Sequence, residues 1–168
     1  ETTLPITLAS LARGGFDDPR LFIDGEGWAL YSHQKFPYFK TFRMPRVKAM
    51  KNWILSLSEL YYRNPLADRY AIFQDDFITL PGLREYLDTC PYPAKGYWNL
   101  YTMPMNQVLA PSRIGWFPSN QFGKGAVALV FDSATTMELL KSEYILKKVQ
   151  HPTRGHKNID GAVISYLR

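Results

Sequence analysis

The sequence predicts an α/β protein: a three-layer α/β/α sandwich around a mostly parallel central sheet. Three observations predict it. Short apolar runs of strand length alternate with stretches of helical periodicity. Two of those runs end in carboxylates, as strands do when they deliver polar groups to a crevice at their carboxyl ends. The 168 residues give room for one domain, and 46% of them are hydrophobic, which is enough for a core and too much for a disordered chain.

Residues 4–11 carry Leu4, Leu8 and Leu11 at helical spacing, with Gly14-Gly15 as a stop signal. Pro19 leads into Leu21-Phe22-Ile23-Asp24-Gly25, an apolar burst closed by an acid and a glycine, the pattern of a buried strand. Residues 26–42 are rich in aromatics without clear period and predict a weak strand plus loop. Val47, Met50, Trp53, Ile54, Leu57, Leu60 and Tyr61 then keep helical spacing until Asn64-Pro65, where the residue before proline is driven out of the α region. A second strand, Tyr70-Ala71-Ile72-Phe73, runs into Gln74-Asp75-Asp76. Residues 81–87 form a short helix, closed by the Cys90-Pro91-Tyr92-Pro93 turn. Further strands are predicted at 97–102 and 126–131, and Asp132-Ser133 can cap a helix continuing through Leu140. A polar stretch over 151–158 precedes a last apolar segment at 159–167.

Composition narrows the function classes. Twenty basic residues against fifteen acidic ones give a net charge of +5, which suits an anionic ligand. No Lys/Arg block of the nucleic-acid type occurs. The richest cluster, Lys40, Arg43, Arg46, Lys48 and Lys51, is interrupted by apolar residues and reads as one side of a helix and its approach. A single cysteine, Cys90, excludes an internal disulfide and agrees with a reducing, cytoplasmic compartment. No apolar run approaches the ~20 residues that span a bilayer. The chain begins Glu1-Thr2-Thr3 without a basic leader or initiating Met, so a trimmed start lacking a first strand is expected. Ten Phe, eleven Tyr and four Trp form an unusually aromatic set, and Trp98, Trp116 and Phe117 could line a ligand platform, with core packing as their default use.

Adjacent carboxylates at a strand end repel unless a positive group sits beside them. Mg²⁺ or Mn²⁺ commonly takes one or two protein carboxylates and completes its shell with phosphate oxygens and water. Asp75 and Asp76 after an apolar strand therefore suit a metal–diphosphate site; a solvated loop or a helix cap is the plainer use of such a pair.

Three blocks, in order, carry a resemblance to a family. Thr7-Leu8-Ala9-Ser10-Leu11 through Gly15-Phe16 to Leu21-Phe22-Ile23-Asp24-Gly25 resembles the first helix and second strand of the GT-A class of nucleotide-sugar glycosyltransferases, a Rossmann-like fold. Tyr70 to Phe77 resembles the strand bearing that class's acidic "DXD" motif, here Gln-Asp-Asp. Gly123-Lys124-Gly125-Ala126 with Ala128-Leu129-Val130-Phe131, then Lys157-Asn158-Ile159-Asp160-Gly161, resembles its acceptor-side half. The inverting N-acetylglucosaminyltransferases, of a family-2-like kind, are the nearest in flavour. The resemblance implies that Asp76 binds Mn²⁺ or Mg²⁺ directly and that Asp75 approaches the ribose or donor sugar. It places Asp24 near the base or ribose, has Asn52 with Lys48 and Lys51 face the donor, and makes Asp160 the catalytic base. Gly123-Lys124-Gly125 lacks Walker spacing, and Gly125 would let the backbone approach the sugar or make an ordinary tight turn. The implied partners are a nucleotide-sugar donor, uridine diphosphate-linked, and a glycan or other hydroxyl acceptor.

Two departures from the family pattern stand out. Gln74 replaces a common carboxylate, and the strand with nucleotide contacts that normally opens the class has only Glu1-Thr2-Thr3 as its remnant. A histidine that completes the metal site in this class usually lies downstream of the base, whereas His151 and His156 lie before Asp160. The rival readings are a phage-type enzyme that glycosylates DNA bases and a non-catalytic nucleotide- or carbohydrate-binding module of the same fold. A Mg²⁺ phosphohydrolase or nuclease is a remoter one, since it would normally show more carboxylates.

Overall fold

The computed structural model describes residues 3–25, 37–91, 96–101, 115–118, 125–150 and 163. The protein is mixed α/β, with one small parallel and one small antiparallel sheet. Its elements run α1 (Thr3–Arg13), β1 (Leu21–Asp24), β2 (Lys40–Arg43), α2 (Ala49–Arg63), β3 (Arg69–Phe73), α3 (Leu83–Asp88), β4 (Tyr97–Asn99), β5 (Ala128–Asp132), α4 (Ser133–Lys141) and α5 (Glu143–Gln150). They fall into two compact units, residues 1–52 with 74–90, and residues 53–73 with 91–168.

In the first unit α1 buries Leu4, Leu8 and Leu11, as its apolar spacing requires, together with Thr7 and Ser10. It ends in a Schellman motif: Phe16 N–H reaches back to the Leu11 carbonyl at 2.9 Å and Gly15 N–H to the Ala12 carbonyl at 3.1 Å. Gly15, at φ 90°, supplies the left-handed residue the motif needs. The following chain returns to this helix end, where Gly82 N–H and Arg84 N–H donate to the carbonyls of Arg13 and Gly14 at 3.2 and 2.9 Å. Strands β1 and β2 pair in parallel, Leu21 opposite Lys40 through Asp24 opposite Arg43. Arginines lie over two phenylalanine rings here, Arg20 over Phe39 and Arg43 over Phe22, at 5.4 and 5.2 Å.

The second unit is built on β5, whose five residues are all buried and which pairs with β3 on one side and β4 on the other. Trp53 meets Phe131 edge-on at 5.6 Å and Tyr97 stacks on it at 5.8 Å, so one fully buried ring organises this core. Asp132 caps α4 through Thr135 N–H, as the sequence predicts. Ser142 separates α4 from α5, an element absent from the sequence-based prediction, with its hydroxyl accepting Ile145 N–H at 3.4 Å.

The sheet differs from expectation. Continuous apolar runs predict a mostly parallel sheet, yet β5 runs antiparallel to both β3 and β4, and among the described strands only β1 and β2 are parallel. A strand covered on both faces reads as an unbroken apolar run in either direction, so the pattern that locates β5 carries no information on its polarity. The strand predicted at 126–131 is shifted to end on Asp132, and of that predicted at 97–102 the described residues form strand over Tyr97–Asn99, with Leu100 N–H donating to the Ala128 carbonyl at 3.0 Å. No helix among the described residues is long and apolar enough to cross a membrane.

Candidate functional site

The acidic pair lies in the first unit, in a tight turn. Phe77 N–H donates to the Gln74 carbonyl at 3.2 Å, which puts Asp75 and Asp76 at the two central positions of a β-turn. Asp favours such positions because its short side chain tolerates the geometry without needing to be buried. Both residues are exposed, and among the described residues neither carboxylate has an ion-pair or hydrogen-bond partner.

The backbone of this turn is held firmly by α1. Thr7 Oγ1 donates to the Asp75 carbonyl at 2.7 Å, from a threonine only 2% exposed. Two further bonds join Ser10 and Thr79, both buried: Thr79 Oγ1 donates to the Ser10 carbonyl at 2.6 Å, and Thr79 N–H to Ser10 Oγ at 3.0 Å. Gly14 completes the contact, since a Cβ there would stand 2.9 Å from Thr79 Oγ1. Buried hydroxyls on an apolar helix face need partners: Thr7 finds one in the acidic turn, and Ser10 donates to the Thr7 carbonyl at 2.8 Å and accepts the Thr79 N–H. Thr7 and Ser10 have no role in the sequence-based site. The available signal is that Thr7 falls on the Leu4, Leu8, Leu11 stripe, where a polar residue signals a specific bond.

Asp24 has a different environment. Its Oδ1 accepts Val47 N–H at 2.7 Å and its Oδ2 faces Arg46 Nε at 3.7 Å, and the side chain is 12% exposed. The carboxylate brackets the end of β1 to the chain entering α2, with Gly25 N–H donating to the Arg43 carbonyl alongside. Asn52 is attached to the same strand, its Nδ2 donating to the Phe22 carbonyl at 3.2 Å. Lys51 is half-buried in the first turn of α2. Lys48 precedes that helix at φ 71°, unusual for a residue with a Cβ, and its carbonyl accepts Asn52 N–H at 2.9 Å. The structure thus ties Asp24, at the end of β1, and Asn52, on the Phe22 carbonyl, to the same strand. Of the basic cluster read as one side of a helix and its approach, Lys51 lies in α2 and Lys48 just before it, while the approach holds a loop (Arg46) and the strand β2 (Lys40, Arg43).

In the second unit Gly125 has φ 97°, and a Cβ there would lie 2.9 Å from the Tyr101 carbonyl, so glycine is required by this chain's own backbone. Trp98 is 8% exposed, has the Arg69 guanidinium 3.5 Å from its ring centre, and meets Trp116 at 5.3 Å. Trp98 is therefore a core residue. Trp116 and Phe117 are half-buried. Asp160, Gly123, Lys124, His151 and His156 lie outside the described residues.

The donor chemistry of the turn fits a hard divalent cation. Mg²⁺ and Mn²⁺ prefer oxygen ligands and accept one or two carboxylates when phosphate supplies the rest. Asp75 and Asp76 offer that much and no more: among the described residues no group of three or more His, Cys, Asp or Glu could hold a metal ion. An all-protein cage is not what the described residues provide. Comparison of the chain with family models, with curated proteins and with solved structures returns no match.

Proposed function

We propose that this chain is a metal-dependent glycosyltransferase domain of GT-A type, moving a sugar from a nucleoside diphosphate donor to an acceptor hydroxyl with inversion. In that reading the fold class is a three-layer α/β/α sandwich, the donor is a uridine diphosphate sugar, and the compartment is the reducing cytoplasm that a lone cysteine suits. One observation carries it: the turn after β3 presents two exposed carboxylates on a backbone tied to α1 by the part-buried bond from Thr7. The order of the three sequence blocks supports it.

Asp76 would hold the cation, with Asp75 directed to the ribose or sugar. Bound Mn²⁺ or Mg²⁺ supplies Lewis-acid stabilisation of the negative charge that builds on the leaving diphosphate. Lys51 adds positive charge where the donor's phosphates are expected. Asp160 takes the proton from the acceptor hydroxyl as that oxygen attacks the anomeric carbon from the face opposite the diphosphate, which inverts the centre. Asp24, already bracketing β1, contributes to base or ribose recognition through the segment it fixes. Gly125 keeps the backbone before β5 free of a side chain.

The roles are separable by substitution. Asp160→Asn should leave nucleotide affinity as in wild type and lower sugar transfer by about 10²–10⁴-fold, the usual worth of a general base. Donor binding followed by calorimetry and transfer followed by release of the nucleoside diphosphate report the two quantities. Undiminished transfer removes Asp160 as the base. Nucleotide binding by the wild type with no transfer to any of a panel of sugar or DNA acceptors would make the chain a binding module instead.

A further inference from the structure

The hydroxyl of Thr7 has an unusual place. It is almost fully buried on the core-facing side of α1, and it spends its hydrogen bond on the one carbonyl, Asp75, that lies between the two carboxylate-bearing positions of the turn. The residues it joins are 68 apart in sequence, so nothing local enforces the contact. A β-turn left to itself fluctuates, and a cation site needs its carboxylate held to within a fraction of an ångström. The Ser10–Thr79 bonds secure the segment three residues further on, but they act after the turn has closed. The Thr7 bond acts within the turn itself, on the peptide that links Asp75 to Asp76, and ties to α1 a turn otherwise closed by the Phe77 N–H to Gln74 carbonyl bond.

We propose that Thr7 is a positioning residue for the cation: its hydroxyl fixes the Asp75–Asp76 peptide and thereby aims the Asp76 carboxylate. This rests on the reading of Asp76 as a metal ligand given above. Thr7 touches neither metal nor donor; it works through the carbonyl of Asp75. Outer partners of metal ligands commonly account for about 10–100-fold of metal affinity. The low end applies here, because the bond is to the ligand's backbone rather than to its carboxylate.

The test titrates Mn²⁺ in the presence of uridine diphosphate and reads bound against free metal by electron paramagnetic resonance, for the full chain. Wild type, Thr7→Val, Thr7→Ser, Asp76→Ala and Thr136→Val are compared. Thr136 is a matched control: its buried hydroxyl donates to the Asp132 carbonyl at 2.9 Å, so Thr136→Val also deletes a buried threonine bond, but in the second unit. Thr7→Val should weaken Mn²⁺ binding about tenfold, while Thr7→Ser, which restores the hydroxyl, should recover wild-type affinity. Thr136→Val should lower the melting temperature with no change in Mn²⁺ affinity. If Thr7→Val binds Mn²⁺ as wild type does while Asp76→Ala does not, the positioning role is overturned and the metal reading stands. If Thr136→Val weakens Mn²⁺ binding as much as Thr7→Val, the effect is general destabilisation and the role is overturned likewise. If wild type binds no Mn²⁺, or Asp76→Ala binds it unchanged, both the metal reading and the inference built on it fall.

Discussion

Asp24 and Asp76 both follow a short apolar strand, and a sequence gives no means of telling them apart. The structure does. The oxygens of Asp24 face a backbone N–H and a guanidinium of this chain, whereas Asp76 projects from a turn with no partner among the described residues. The first is an architectural carboxylate and the second is available to a ligand. Tyr70 makes a third case, legible in the sequence only as a strand residue. Its hydroxyl donates to the Asn64 carbonyl at 2.6 Å inside the second unit. Burial raises its pKa above the ordinary 10.0, against a smaller opposing effect of the Ser133 hydroxyl. The fold therefore keeps the neutral phenol to higher pH than the unfolded chain does. Stability from this group is complete below the unfolded value and is lost as pH rises through and beyond it. Urea midpoints measured between pH 8 and 11 should fall at the alkaline end for wild type and fall less steeply for Tyr70→Phe; equal slopes would show that another group governs alkaline unfolding.

Helices and strands were readable to the extent that their signals are local. The glycine stop of α1, the Asn64-Pro65 end of α2 and the Asp132 cap of α4 all appear where side-chain chemistry dictates them. What stayed hidden depends on partners distant in the chain: the direction of β5, the bonds from α1 to residues 75–79, and α5, whose start rests on the hydroxyl of Ser142. Asp132 shows how one residue can serve both kinds of contact. Its Oδ1 caps α4 by accepting Thr135 N–H at 2.8 Å, and its Oδ2 accepts Thr135 Oγ1 at 2.7 Å and the N–H of Gly96 at the start of β4. The sequence gives the cap, and only the fold gives the link to β4. Asp132→Ala should therefore cost more than a lost helix cap, about 2–4 kcal/mol, because the Thr135 hydroxyl loses its acceptor and the Gly96 N–H keeps only Thr135 Oγ1, at 3.1 Å. Chemical denaturation measures this directly; a loss near 1 kcal/mol would mean that the Gly96 contact contributes nothing.

At the scale of the whole molecule, composition and net charge exclude more than they assign. An aromatic-rich chain of charge +5 with a single cysteine is compatible with many anionic ligands. The functional reading comes from the ordered motifs and from the way the first unit holds its acidic turn. The candidate base and the Lys124 loop lie outside the described residues, so the sequence alone speaks for them. The central claim is that a divalent cation and a diphosphate bind together at Asp76. Thermal unfolding of the wild-type chain with uridine diphosphate, Mn²⁺, both and neither tests it in one experiment. At about 100 times the dissociation constant, joint binding stabilises by about 2.7 kcal/mol and raises the melting temperature by roughly 5–10 °C. The rise should occur only when nucleotide and Mn²⁺ are both present, and should disappear in Asp76→Ala. An equal rise without Mn²⁺, or one that persists in Asp76→Ala, would contradict it.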